Sequence, residues 1–356
     1  MNINAVDLFC GVGGLTYGLE KSGINVVAGI DIEEKCRFPY EQNNHSDFIQ
    51  GDLKEISSKT IESLYPENTD IKVLAGCAPC QPFSSYSYRY KGTDASVNKL
   101  DLLNTFGRIV KDVLPDIVSM ENVPQLSKEP IFEKFIATLD SLGYKTHWSI
   151  VFAPKYGVPQ KRKRLVLLAS RMGEINLISP LFDKDNYPTV RETISMLPHI
   201  ESGETCTTDP MHKSVKLSAL NLKRIKQSVP GGTWRDWDDS LLLKAYKKKS
   251  GQSYTAVYGR MEWDKPASTI TTKFYGYGNG RFGHPEQNRA LSYREGAMLQ
   301  TFPKKYIFFD NQHPISTREL GVMIGNAVPV KLGIAIGKSI LSKIYQKSEA
   351  VNWIKW

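Results

Sequence analysis

Through the first 170 residues, short apolar runs alternate with stretches of helical period, and turn residues separate them. Asn4 to Phe9 predicts a strand, a Gly-rich turn follows, and Leu15 to Ser22 predicts a helix. Val26 to Ile30 predicts a second strand ending at Asp31, and Glu33 to Asn43 a helix. Val73 to Ala75 is a short apolar run of the kind that forms a strand buried on both faces, and so is Ile117 to Met120. Leu102 to Val113 and Phe132 to Leu142 have helical period, and Leu165 to Ala169 closes the series as a strand. This alternation predicts an α/β fold with a doubly wound, mostly parallel sheet.

The pattern changes near Arg171. From there to about residue 310 the apolar runs are short, aromatics are frequent, and Pro230-Gly231-Gly232 and Gly276-Tyr277-Gly278-Asn279-Gly280 mark loops. Helical period returns from Pro329 to about Tyr345, with Pro at the first turn. The expected organisation is a first domain over residues 1–175, a smaller irregular domain and hinge over 176–310, and a segment over 311–356 that returns to the first domain.

Composition narrows the class. The chain has 356 residues, is 41% hydrophobic and 23% charged, and carries a net charge of +9, as expected of a globular protein with a sizeable core. From Met211 to Arg260 there are eleven Lys or Arg against three Asp and no Glu, a net +8 within 50 residues. So concentrated an excess points to a polyanion partner, although any single cluster such as Lys247-Lys248-Lys249 also fits a solvated face. The N-terminus lacks the basic and apolar regions of a signal peptide, and no apolar run suggests a membrane span. Five cysteines fit a reducing compartment better than a disulfide framework. The expectation is a cytoplasmic protein without a membrane partner.

Four segments carry candidate chemistry. In Asp7-Leu8-Phe9-Cys10-Gly11-Val12-Gly13-Gly14-Leu15, glycines between a strand and a helix let a ligand approach the backbone. Thr16 occupies the third glycine position of the dinucleotide fingerprint. Asp31, at the end of the next strand, can bind ribose hydroxyls. A ribose-binding acid without a full diphosphate loop suits a nucleoside cofactor such as S-adenosylmethionine, and Asp52 is placed to reach an adenine amino group. The second segment, Gly76-Cys77-Ala78-Pro79-Cys80-Gln81-Pro82, presents a thiol on a loop stiffened by two prolines. Its Cys-x-x-Cys spacing also fits a redox pair or half a zinc site, but the other cysteines are isolated and no His pair completes four ligands. In the third segment, Asp116 to Pro124, a buried strand ends in Glu121-Asn122 and puts a carboxylate on the same sheet edge. The fourth is Gln160-Lys161-Arg162-Lys163-Arg164, where a period of two puts Arg162 and Arg164 on one face to clamp a phosphate or a carbonyl.

In this order, and with Arg294 to Pro303 and Gly325-Asn326-Ala327-Val328-Pro329, these segments resemble the cytosine carbon-5 DNA methyltransferase family of bacterial restriction-modification type. Resemblance covers about residues 3–170 and 289–345. It implies that Cys80 adds to carbon-6 of a cytosine flipped from duplex DNA, converting the ring into an enamine that takes a methyl group at carbon-5. It implies that Glu121 contacts the ring nitrogen and exocyclic amine, that Arg164 meets the carbonyl oxygen, that Arg162 orders loop and phosphate, and that Gln81 flanks the nucleophile. Phe9, Gly11, Val12, Gly14, Leu15, Asp31, Ile32, Asp52, Leu53, Pro79, Leu102, Asn326, Ala327 and Val328 are the implied cofactor contacts. Asp31 stands where Glu is commoner, and Ile32 where an aromatic often faces the adenine.

The same resemblance implies that the loop from Gln81 to Lys99 closes over DNA and that residues 176–288 recognise the target sequence. Arg235, Arg260 and Arg281 are candidate guanine readers. S-adenosylmethionine is the expected cofactor, S-adenosylhomocysteine its product, and no metal is expected. Double-stranded DNA is the expected partner of a monomer, with a cognate endonuclease in the same system. A tRNA-directed branch of the family shares these segments, but its Cys-Phe-Thr signature is missing here, the nearest stretch being Ile270 to Phe274. A non-catalytic relative would lose Cys80, Glu121 or Arg164. An oxidoreductase is disfavoured by Thr16 and by the basic second domain.

Overall fold

A computed structural model describes residues 1–79, 94–248 and 251–345, with backbone alone over 94–101. The elements run β1 (Ile3–Leu8), α1 (Gly14–Ser22), β2 (Asn25–Asp31), α2 (Arg37–Asn43), β3 (Asp47–Gln50), α3 (Ser58–Ser63), β4 (Ile71–Gly76), α4 (Asp94–Val113) and β5 (Ile117–Asn122). Then come α5 (Pro130–Ser141), β6 (Lys145–Phe152), β7 (Lys163–Ser170), α6 (Val190–Ile194), β8 (Thr205–Cys206), β9 (Asp209–Lys213) and α7 (Ala219–Gln227). The series ends with α8 (Tyr293–Leu299), α9 (Thr317–Asn326) and α10 (Val330–Tyr345).

One seven-stranded sheet has the order β3-β2-β1-β4-β5-β7-β6. The pairings of β1 with β2 and β4, of β2 with β3, and of β4 with β5 are parallel, so those strands all end at one edge. Strand β7 runs antiparallel to both β5 and β6, so its first residues lie at that same edge. Every residue of β1 and β5 is buried, as expected of central strands covered by helices on both faces. Opposite faces of the sheet carry two apolar layers, one packing α4 and α5 around Phe106 and Phe135, the other packing α1 and α10 around Leu19 and Ile336.

Helices α1 and α10 touch closely because both carry glycine at the contact. A Cβ on Gly18 would stand 2.6 Å from the Val330 carbonyl oxygen and 2.7 Å from Gly333 Cα. By length and composition Thr317–Tyr345 could cross a membrane, but its most apolar window is 72% buried within the fold and Ala327-Val328-Pro329 separates α9 from α10.

A third apolar cluster joins Cys10, Val12 and Tyr40 to Ile270, Phe274, Leu299 and Phe302, so α8 packs on the sheet-side domain. The irregular region has its own small core of Ile225, Trp234, Trp237, Leu241, Tyr246 and Tyr277. Within it Arg224 and Arg260 are buried. The Arg224 guanidinium donates to the Leu241 carbonyl and to Asn221 Oδ1, each at 2.9 Å. Arg260 donates to the carbonyls of Ile225, Ser228, His284 and Gln287. Arg260 is therefore no reader of DNA bases: its protons tie the end of α7 to the 284–287 loop. Of the eleven cations between Met211 and Arg260, Lys213, Lys216, Lys223, Lys226, Arg235, Lys244, Lys247 and Lys248 are exposed, and Lys249 lies outside the described residues.

Candidate active site

Strand ends at one edge of the sheet bring the candidate side chains together. Gly76, the last residue of β4, is level with Met120 of β5, and that register carries Cys77 alongside Glu121. Glu121 is paired with Val166 of β7. Arg164, two residues earlier on β7, is the diagonal neighbour on the same face, within reach of a long side chain. Its Nε stands 2.9 Å from Glu121 Oε1, the two side chains being 14% and 2% exposed. This ion pair is not aligned as a hydrogen bond, so among the described residues Oε1 keeps its acceptor capacity. The other carboxylate oxygen, Oε2, accepts from the Cys77 thiol at 2.9 Å. Asn122 reaches back to the same loop, donating from Nδ2 to the Ala78 carbonyl at 3.0 Å. A loop held from two sides in this way fixes where the chain enters Pro79. Cys80 and Gln81 lie outside the described residues, as does the expected closing loop as far as residue 93; from Asp94 the chain is already α4.

The Arg162 guanidinium is engaged by backbone carbonyls while still feeling the charges of Arg164 and Glu121. Arg162 precedes β7, is 2% exposed, and donates to the carbonyls of Ile270 at 3.1 Å, Gly325 at 3.4 Å and Ala327 at 3.5 Å. Burial, then the neighbouring Arg164, push its pKa down, and Glu121 and Cys77 offset part of the shift. Gln160, fully buried, completes this seam. Its Nε2 donates to the Leu299 carbonyl and Gln300 Oε1, and its Oε1 accepts from the Ile270 amide. Gln300 in turn donates to the Ile324 carbonyl at 2.7 Å. Gln160, Arg162 and Gln300 thus tie β7, the 270 loop, the end of α8 and the α9–α10 junction into one unit. No sequence spacing announced Gln160 or Gln300 for this role, because their partners lie more than a hundred residues away or across a helix end.

The Gly-rich loop follows β1. Phe9, Gly11 and Gly13 have positive φ of 60°, 52° and 84°. Among the described residues a Cβ on Gly11 would meet nothing within 4 Å, whereas on Gly14 it would stand 2.4 Å from the Val328 carbonyl oxygen. That close approach joins the loop to the segment Asn326-Ala327-Val328. Asp31 Oδ2 accepts from the Gly11 amide at 2.8 Å and Oδ1 from the Glu33 amide at 2.9 Å, which leaves acceptor sites on both oxygens. Burial raises the Asp31 pKa, and these amides counter it. Gly51 donates to the Asp31 carbonyl, placing Asp52 and the buried Leu53 next to Asp31, and Ile32 stands 58% exposed beside it. Val12 and Leu15 are buried, Phe9 and Leu102 are half-buried, and Pro79 is exposed.

Beneath the loop, Thr16 Oγ1 donates to Asp7 Oδ2 at 2.7 Å, while Asp7 Oδ1 has no hydrogen-bond partner among the described residues. The threonine at the third fingerprint position thus serves a buried acid rather than a cofactor phosphate. Burial pushes the Asp7 carboxyl up to about 7; the Thr16 hydroxyl opposes this and the Asp31 charge adds to it.

A glycine cradle open at Gly11, a carboxylate with spare acceptor sites and an exposed apolar side chain fit a nucleoside cofactor. Residues 3–342 match the family model of C-5 cytosine-specific DNA methylases. The chain is 49% identical over 339 residues to the type II methylase M.HgiDII of Herpetosiphon aurantiacus, covering 94% of each protein. It is 30% identical to the type II methyltransferase M.Eco47II of Escherichia coli, over 94% of this chain and 78% of that one. Among solved structures, a candidate DNA modification methyltransferase encoded in an E. coli prophage superposes with a TM-score of 0.72 at 20% identity, over 96% of this chain and 99% of that one. Dnmt2 of S. pombe gives 0.59 at 16% identity, over 97% and 99%; both likenesses concern the fold. The chain belongs to the C-5 cytosine-specific DNA methylase family and is a DNA (cytosine-5-)-methyltransferase.

Proposed function

We propose that Cys80 is the nucleophile, that Glu121 and Arg164 hold the target cytosine, and that the Gly-rich loop with Asp31 holds S-adenosylmethionine. The observation that carries this reading is the Glu121–Arg164 pair, buried at the sheet edge beside the loop that leads into Cys80. Carbon-5 of cytosine is a weak nucleophile. Addition of a thiolate to carbon-6 pushes electrons toward carbon-5 and onto the ring nitrogen and carbonyl oxygen. A carboxyl group at the ring nitrogen and amine, with a guanidinium at the carbonyl, stabilises charge as it develops. After methylation a base removes the carbon-5 proton and the thiolate leaves. S-adenosylmethionine, when bound, supplies the electrophilic methyl group.

Asp31 is the ribose ligand in this reading, Asp52 meets the adenine amino group, and Ile32 covers an adenine face. Phe9, Gly11, Val12, Gly14, Leu15, Leu53, Pro79, Leu102, Asn326, Ala327 and Val328 complete the pocket. A stacked duplex hides carbon-6, so the base must be flipped, and the exposed lysines between Lys213 and Lys248 contact phosphates of the DNA. Arg235 and Arg281 remain candidate base readers. Two relatives are type II modification enzymes by name, which supports action at one short sequence alongside a cognate endonuclease. The test is base-resolution sequencing for 5-methylcytosine in unmethylated duplex DNA treated with protein and S-adenosylmethionine. Methylation confined to one motif, and abolished by Cys80→Ala, is expected; methylation surviving Cys80→Ala would overturn the assignment.

A further inference from the structure

We infer that Cys77 is a positioning residue, its thiol holding the Glu121 carboxylate in register for the cytosine ring. The inference rests on the reading that Glu121 contacts the base. An ionised carboxylate offers about four acceptor sites, two on each oxygen. Arg164 approaches Oε1 and the Cys77 thiol donates to Oε2, each at 2.9 Å, so both oxygens are gripped and each retains a site for the base edge.

Strand geometry makes the contact. Gly76 ends β4, and a Cβ there would stand 2.9 Å from the Leu8 carbonyl oxygen. The sheet is therefore tightly closed at this point, and the next residue lies level with Glu121 on the neighbouring strand. Anchoring from one side only would leave the carboxylate free to pivot about its bond to Cγ, because terminal torsions of this kind are broad. A hydrogen bond to the opposite oxygen, added to the ion pair, removes that freedom. A thiol is a weak donor, so it orients the carboxylate without competing strongly with the base for its lone pairs.

The test is kinetic and uses the intact enzyme with duplex DNA containing its target motif. Cys77→Ala is expected to lower kcat about tenfold, with the KM for S-adenosylmethionine and the Kd for DNA within twofold of the parent. Cys77→Ser, which restores a donor, should recover kcat to within about threefold. A residue that acts only through Glu121 has no separate effect once that carboxylate is gone. In a Glu121→Gln background, Cys77→Ala should therefore change the residual rate, or the fluorescence of a flipped 2-aminopurine at the target, by less than twofold. A parental kcat for Cys77→Ala, or equal losses in both backgrounds, would overturn the inference. Full activity of Glu121→Gln alone would instead remove the reading on which it rests. Unchanged cofactor binding by Cys77→Ala separates lost positioning from lost folding.

Discussion

Replacing Arg162 distinguishes a residue that closes the seam from one that grips DNA. Its guanidinium is 2% exposed and makes one well-formed bond, to the Ile270 carbonyl at 3.1 Å, and two long ones, at 3.4 and 3.5 Å. A hydrogen bond from a charged donor contributes roughly 1.5–3 kcal/mol, and a buried carbonyl left without a partner costs roughly 1–3 kcal/mol. Counting the two long bonds as one at most, and allowing for the emptied volume, Arg162→Ala should lose about 3 kcal/mol of stability. Arg162→Met fills most of the space and removes both the cost of burying a cation and the repulsion from Arg164, so it should lose less than half as much. Urea denaturation of the ligand-free variants measures this. The complementary assay is the salt dependence of DNA binding, where removal of a phosphate contact lowers the slope of log K against log salt by about 1. An interior Arg162 leaves the slope unchanged. Parental stability combined with a reduced slope would refute the reasoning and return Arg162 to the DNA backbone.

Two further perturbations probe the cofactor loop. Gly14→Ala forces a methyl group to within 2.4 Å of the Val328 carbonyl oxygen, a backbone atom that cannot rotate away. It should cost about 1–3 kcal/mol and weaken S-adenosylmethionine binding in calorimetry; parental affinity would show that the loop and the Val328 segment move independently. Asp7→Asn tests the buried acid. Its carboxyl is raised to about 7 when folded, against 3.8 ordinarily, so between these values the folded state binds more protons than the unfolded state. Stability therefore falls as pH rises from about 4 to 7 and the loss is complete above that range, at most roughly 4 kcal/mol. The asparagine variant should have a higher Tm than the parent at pH 8 and a flatter Tm profile from pH 5 to 8. Parallel profiles would contradict this.

The parts of the fold that were legible in the sequence are those buried on both faces. Strands β1, β4 and β5 are short continuous apolar runs, and the helix from Val330 keeps its period because one side faces α1. Strand β6 escaped because it is an edge strand: Trp148 and Ile150 are 41% and 43% exposed, and Ser149 separates them. Four-residue β3 and the short α3 left little pattern to find. Missing β6 also hid the hairpin that turns β7 antiparallel and brings Arg164 to Glu121. Alternation from Arg162 to Arg164 could not show that the Arg162 guanidinium is spent on the carbonyls of Ile270, Gly325 and Ala327. Net charge located the basic region but could not tell exposed lysines from Arg224 and Arg260, which spend their protons on internal acceptors. Cys77 drew notice through its spacing to Cys80, whereas its contact with Glu121 crosses two strands and has no sequence signature.

The most direct test of the account is a covalent trap. Duplex DNA carrying 5-fluorocytosine at the target position allows addition at carbon-6 and methyl transfer, but leaves no carbon-5 proton for the step that releases the enzyme. Incubation with S-adenosylmethionine, digestion and mass spectrometry then identify the attached residue. The account predicts one adduct, on Cys80, lost in Cys80→Ala and retained in Cys77→Ala. An adduct on Cys77, or methylated product without any adduct, would contradict it.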